Sequence, residues 1–217
     1  MRWTGLAFTI VASLALGSCR LIATADVKTI SEAGVNNGVV FDPDKQVAAI
    51  WSSKVQPYFE QKAGAFTDVR DLAAKSPDEA GAKYGYRAKS DGAPWTVMVK
   101  LEGVIVAANT ESRAATLSLD ATGQGKTDAT VQIGPALRGT AIRDALDFVS
   151  FNDFTNQIDF ARFGKAFNVY VNRAVLQALP RENLVGRKAT VLGAYVLGAP
   201  GDAPLVTPVE ITIGPKP

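Results

Sequence analysis

The 217-residue chain contains no histidine and a single cysteine. Without an imidazole there is no Ser-His-Asp triad, no Cys-His nucleophile and none of the commonest zinc ligand sets. Most familiar hydrolase chemistries are excluded at once. One cysteine, Cys19, cannot form an internal disulfide, so in an oxidising compartment stability has to come from core burial alone. Charge of neither sign dominates: 23 basic and 21 acidic residues give a formal net charge of +2 with no strongly basic block, and nucleic acid is not indicated as a partner. Long apolar runs are also missing. Leu6 to Leu16, broken only by Thr9 and Ser13, falls short of the about 20 residues a membrane-spanning helix needs.

That short run has a different meaning in its setting. Arg2 supplies a charged start, Leu6 to Leu16 an apolar stretch, and Gly17-Ser18 the small residues a signal peptidase tolerates, directly before Cys19. The pattern predicts a lipoprotein signal peptide over 1–18, cleavage before Cys19 and lipidation of that residue; the competing reading is an ordinary buried thiol behind an uncleaved anchor. Several acyl groups bind a membrane far more firmly than one. The expected location is the periplasmic side of the bacterial envelope. Arg20, in place of the aspartate that retains enteric lipoproteins at the inner membrane, favours the outer membrane. Residues 19–40, with Gly34, Asn36, Asn37 and Gly38 as turn formers, read as a lipidated tether ending in a short strand or loop.

From Asp42 the spacing changes. Val47, Ile50, Trp51, Val55, Tyr58 and Phe59 recur at three and four residues after Asp42-Pro43, which predicts a helix with one buried stripe that Pro57 kinks or divides. A second helical stretch is expected over about 68–82, with Pro77 opening its second half and Gly81 or Gly85 ending it. Together they form an N-terminal helical extension over 41–92. At Pro94 the period becomes two: Trp95, Val97, Val99, Leu101 and Ile105 face one way and Thr96, Lys100 and Glu102 the other. Gly103 is expected to bend or bulge this long strand. Further strands are predicted over 113–120, 129–133, 187–197 and 205–213, with Pro208 marking an edge or a bulge. A helical block interrupts the third and fourth strands. This is the pattern of an α+β chain with an OB-like five-stranded β-barrel over 93–217 and a helical insertion at 139–180.

In that insertion Thr140 is placed to cap a short helix through Leu146, and Ser150-Phe-Asn-Asp153 fits a capping box opening a longer one. Phe160, Phe163, Phe167, Val171, Ala174 and Ala178 follow helical spacing to Leu179-Pro180, as a core stripe or, alternatively, a ligand-stacking surface. Ile133-Gly-Pro135, Arg138-Gly-Thr-Ala-Ile-Arg-Asp-Ala-Leu146, Phe151-Asn-Asp-Phe-Thr-Asn-Gln157 and Leu205-Val-Thr-Pro208 resemble the DUF2291 family of predicted periplasmic lipoproteins. The resemblance extends over most of the mature chain, including Trp51-Ser-Ser-Lys-Val55, Lys83-Tyr-Gly85 and Pro94-Trp95. It implies an association with sugar ATP-binding-cassette (ABC) transport systems and supplies no catalytic residues.

Each candidate site therefore rests on its own chemistry. Asp120, Thr122, Gln124, Gly125 and Asp128 are spaced like a calcium loop, but the third and fifth positions lack carboxylates and Val131 stands where a bidentate Glu belongs, so a hairpin turn is expected. Gly125-Lys126-Thr127 resembles the end of a phosphate-binding loop whose required earlier glycine is Asp120, and the motif is rejected. No metal site and no cofactor are indicated. Arg138, Arg143, Asp144, Asn152, Asp153, Asn156 and Gln157 gather beside aromatics, an arrangement suited to sugar hydroxyls with a ring against the sugar face, or to a partner's loops. The same residues could instead cap helices and brace the insertion. The expected function is non-enzymatic binding by an envelope lipoprotein, with a saccharide or sugar ABC transporter components as partners. The alternative is a periplasmic carbohydrate-active enzyme using Asp144 and Asp153 as a carboxylate pair.

Overall fold

The computed structural model describes residues 41–89, 92–199 and 203–216; the signal peptide, Cys19 and the tether lie outside the described residues. Asp42 opens the first helix, α1 (Pro43–Ile50), by accepting the Lys45 N–H at 3.1 Å, with Pro43 in the first turn, where its missing N–H costs nothing. A π turn, Trp51–Val55, joins α1 to α2 (Gln56–Lys62). The division expected at Pro57 is thus made as a one-turn change of helical register just before the proline. Val47, Trp51, Val55 and Phe59 are buried, while Ile50 and Tyr58 are half-buried flanks of the stripe.

Two helices follow, α3 (Phe66–Lys75) and α4 (Pro77–Tyr84), the second ending at Gly85. The predicted stretch therefore begins two residues earlier than its spacing indicated and is divided at Ser76. Two short strands, β1 (Gly64–Ala65) and β2 (Gly85–Tyr86), flank the helices and pair with the same long strand. Gly81 lets α4 lie on Trp95: a Cβ there would stand 2.1 Å from the indole ring.

The barrel has five strands: β3 (Thr96–Asn109), β4 (Thr116–Asp120), β5 (Ala129–Gln132), β6 (Lys188–Val196) and β7 (Leu205–Ile213). Strand β3 closes it alone, because Thr96–Val104 pairs with β6 while Val104–Asn109 pairs with β4. The remaining neighbours are β4 with β5, β5 with β7 in parallel, and β7 with β6. Val97, Val99, Leu101, Ile105, Leu117, Leu119, Val131 and Val191 are buried in one continuous core. Thr96, expected on the exposed face, is buried as well, as is Met98, so the alternation weakens at the start of β3, a strand on which α3 and α4 also pack. The bulge in β3 falls between Ile105 and Ala107, not at Gly103. Gly103 has another role, since a Cβ there would meet the Asp120 carbonyl oxygen at 2.6 Å. Pro208 does sit at a register shift, opposite Gly193, where its missing N–H is accommodated.

Between β5 and β6 lie a short helix, α5 (Ala141–Asp144), a 3-10 turn (Phe151–Asp153), and the main helix α6 (Gln157–Val171), which continues as a π turn through Asn172–Leu176. Phe163, Phe167 and Val171 are buried as expected, but Ala174 and Ala178 are exposed and Leu176 takes the core position. The physical reason is the π turn, whose wider winding moves the buried face past the positions that a 3.6 period assigns. Helix α6 packs on α1, with the Trp51 and Tyr170 ring centroids 4.6 Å apart.

Candidate functional site

The chain enters the insertion under the control of a buried amide. Gln132, the last residue of β5, accepts the Arg138 N–H at 2.7 Å, and its Nε2 donates to the Arg138 carbonyl at 3.1 Å and to Thr207 Oγ1 at 2.8 Å. This fixes the backbone of Arg138 immediately before the turn at Gly139, whose φ is +74°. Sequence reasoning missed Gln132; the available signal was an amide between apolar strand residues Val131 and Ile133. The Arg138 side chain points to solvent, with no hydrogen-bond or ion-pair partner among the described residues.

Arg143 is used differently. Its Nε and Nη2 donate to Asp144 Oδ1 at 2.8 and 2.6 Å, Nη2 also donates to Thr140 Oγ1 at 3.1 Å, and Nη1 donates to the Phe160 carbonyl at 3.1 Å. The guanidinium lies 3.8 Å from the Phe160 ring centroid, and only 11% of the side chain is exposed. Gly164 gives it room, since a Cβ there would meet Nη1 at 2.7 Å. Thr140 is the N-cap of α5, yet its hydroxyl donates to Asp144 Oδ2 at 2.6 Å and accepts no backbone N–H, so the expected cap bond is replaced by a side-chain pair. Arg143, Thr140 and Asp144 thus clamp α5 to the first turns of α6.

The capping box at Ser150 is present: its hydroxyl accepts the Asn152 N–H at 3.3 Å and Asp153 Oδ2 accepts the Ser150 N–H at 2.8 Å. It opens only the three-residue 3-10 turn, not the long helix. The cap of α6 is Asn156, whose Oδ1 accepts the Asp159 N–H and whose Nδ2 donates to Asp159 Oδ2, both at 2.9 Å. The gathered polar residues therefore divide. Arg143, Asp144, Asp153 and Asn156 have their polar groups engaged in the fold, whereas Arg138, Asn152 and Gln157 present side chains without partners among the described residues.

An exposed aromatic ring adjoins Asn152 in the chain. Phe151 is 49% exposed and rests edge-on against Phe160 at 5.5 Å. Phe160 in turn packs on Phe154 at 5.3 Å, and Phe154 on Phe163 at 5.1 Å and Phe41 at 6.1 Å. The outer ring is thus backed by a chain of rings reaching the core. Phe148 projects nearby in sequence and packs edge-on against Tyr58 at 5.5 Å. The Tyr58 hydroxyl is pushed up to about 12 by burial and by the charge of Asp147.

For acid-base chemistry the arrangement offers less. Both Asp144 oxygens are occupied, by Arg143 and Thr140, and Asp153 spends an oxygen on the capping box. Two cavities of about 520 and 430 Å³ are lined by Tyr86, Arg87, Ala88, Lys89, Gly92, Ala93 and Trp95 and by Ala108, Thr110, Arg181, Asn183, Leu184, Val185 and Lys216, and neither includes these carboxylates. Among the described residues no group of three or more His, Cys, Asp or Glu side chains is placed to hold a metal ion. The turn between β4 and β5 is closed by its own backbone. Asp120 accepts N–H groups from Thr122, Gly123, Gln124 and Gly125, and Asp128 accepts from Ala121, Thr122 and Arg70. Burial alone would raise the Asp120 carboxyl; the N–H groups of Gly125, Gly123, Thr122 and Gln124 outweigh it and hold the group below its ordinary 3.8. Among the described residues no helix is long and apolar enough to cross a membrane.

Comparison with known proteins agrees with the barrel. A crystal structure of an OB-fold protein from Thermotoga maritima MSB8 is similar over 81% of this chain and 100% of that one, with a TM-score of 0.63 and 18% identity. At that identity the likeness establishes fold alone. No curated protein matches the chain. The family model for predicted periplasmic lipoproteins, DUF2291, matches residues 9–212, and the chain belongs to that family.

Proposed function

We propose that this envelope lipoprotein acts by binding rather than by catalysis, held to the membrane through acyl groups on Cys19, and that its ligand is a saccharide handled by a sugar ABC importer. The observation that carries the reading is Phe151: a half-exposed ring braced by Phe160, with Asn152 beside it and Gln157 opening the next helix. A flat apolar surface flanked by uncommitted amides is the chemistry that sugar rings and hydroxyls require. Arg138, one helix earlier, supplies a further free donor set at the barrel rim. Arg20 supports the outer membrane as the site of anchoring.

Calorimetric titration of the mature protein with a panel of mono- and oligosaccharides tests the ligand class. Saturable heat that is lost in Phe151→Ala and weakened in Asn152→Ala or Arg138→Ala, with no product formed, is the expected result. Turnover of an oligosaccharide that disappears in Asp144→Asn or Asp153→Asn would establish the carbohydrate-active enzyme instead. Equal labelling of wild type and Cys19→Ser by a fatty-acid analogue would remove the lipid anchor from the proposal.

A further inference from the structure

We infer that the outer face of α6 docks on the anionic phospholipid surface to which the chain is tethered. Around a helix with 3.6 residues per turn, Ile158, Ala161, Arg162, Lys165 and Val169 fall on one side, opposite the buried Phe163 and Phe167. Two exposed aliphatic residues lie here, Ile158 at 65% and Val169 at 44%. Two of the three cations of the segment 157–176, Arg162 and Lys165, share that face, while Arg173 belongs to the π turn and lies 5.8 Å from the Tyr170 ring centroid. The single acid of the segment, Asp159, is buried, capped by Asn156 and paired with Arg162 at 3.5 Å, so no carboxylate of this helix opposes an anionic partner. Aliphatic side chains ringed by lysine and arginine are the surface an interfacial helix presents to a bilayer.

The tether supplies the second argument. The described domain begins at Phe41, and Phe41 packs on Phe154, which packs on Phe160 and Phe163 in the first turns of α6. The chain thus arrives at the first turn of α6 on its Phe160 side, from which the tether has to lead round to the opposite face. The 22 residues from Cys19 to Val40 can span at most about 75 Å, so a lipidated chain never leaves the neighbourhood of the membrane. Docking is then intramolecular, and a small face suffices where a free protein would need a large one. Ile158 and Phe160 lie about 200° apart round α6, so the Phe151–Phe160 rim points away from the docked face and remains open.

The inference rests on lipidation of Cys19, and the test separates the two. Lipidated chain carrying Ile158→Cys or Val169→Cys has one free thiol for a nitroxide probe, and Gln124→Cys, in the turn of β4 and β5 at the barrel end away from Arg138, serves as the exposed reference. In phosphatidylglycerol-rich vesicles the probes at 158 and 169 should be shielded from an aqueous relaxation agent and reached by dissolved oxygen, while the probe at 124 is not. Two cations near an anionic surface favour the docked state by about 25-fold over a neutral one, so phosphatidylcholine vesicles, or Arg162→Glu with Lys165→Glu, should restore exposure without detaching the protein. Probes at 158 and 169 as accessible as that at 124 in anionic vesicles would overturn the inference. So would shielding that persists in detergent micelles, where the tether itself or a second copy is the cover. Release of the protein from washed vesicles marks failure of lipidation and not of docking.

Discussion

Arg143 and Arg138 stand five residues apart, carry the same charge and are expected to respond oppositely to truncation. Arg143→Ala removes a largely buried guanidinium that donates to the Phe160 carbonyl, at about 1.5–3 kcal/mol for a hydrogen bond from a charged group. It also removes the stacking contact at 3.8 Å from the Phe160 ring centroid, about 1–2 kcal/mol in a partly desolvated setting. The bond to Asp144 adds under about 1 kcal/mol, because that carboxylate is 36% exposed and screened by water. Allowing for water that rehydrates the freed groups, the loss is about 3 kcal/mol, or roughly 6–12 °C in Tm for a domain of this size. Arg138→Ala touches no partner and should stay within about 0.5 kcal/mol of wild type. Urea unfolding followed by circular dichroism, with Arg143→Lys as a third variant that keeps charge but not the fork, reads all three. Equal losses for Arg143→Ala and Arg138→Ala, or no loss for either, would refute the division of the polar residues into clamp and free surface.

Asn156→Ala should cost about 1 kcal/mol and Asn156→Ser much less, since a hydroxyl can still accept the Asp159 N–H; a thermal melt of the pair checks it. Gly81→Ala drives a Cβ into the Trp95 ring and should cost about 1–3 kcal/mol, with a changed near-ultraviolet Trp signal as the indole leaves Arg87 and Asp78. Asp120 titrates below 3.8 when folded, so the unfolded chain takes up the proton first; its contribution is complete above the ordinary pKa and is lost as pH falls through the lowered one. The midpoint of urea unfolding should therefore fall less steeply below pH 4 for Asp120→Asn than for wild type, and parallel acid limbs would contradict the backbone cradle.

Where one residue type at one spacing decides a structure, the chain could be read directly. Residues 205–213 form β7 over the span predicted, with Pro208 at the irregularity its missing N–H demands. Ser150 and Asp153 form the capping box their spacing encodes. The box opens only a 3-10 turn because a second cap, Asn156, follows three residues later and restarts the chain as α6. The π turns cannot be read with a 3.6-residue template, which places Ala174 and Ala178 in the core instead of Leu176. Strands β1 and β2 are two residues each and carry no period at all; they exist because β3 offers free pairing groups beside α3 and α4. Of the polar cluster, its place in the insertion was legible. Which members are free was not, since that depends on bonds such as Arg143 to Phe160 across 17 positions.

The barrel itself argues for placing recognition in the insertion. OB barrels commonly read oligonucleotides or oligosaccharides on the face of their second and third strands and the adjoining loops. Here those strands are β4 and β5, and with Leu117 and Leu119 turned into the core the opposite rows run Ala107, Ser118, Thr130 and Asn109, Thr116, Gln132. Neither row contains an aromatic ring to stack on a base or sugar or a cation to meet a phosphate, and the amide of Gln132 is already committed to Arg138 and Thr207. Aromatic and cationic groups of that kind stand instead in residues 138–173, around Phe151 on one side of α6 and Lys165 on the other, and also at Tyr86, Arg87 and Trp95. On the proposed reading the barrel serves as a frame, and the two proposed surfaces, one for a sugar and one for a bilayer, share the helix inserted between its third and fourth strands.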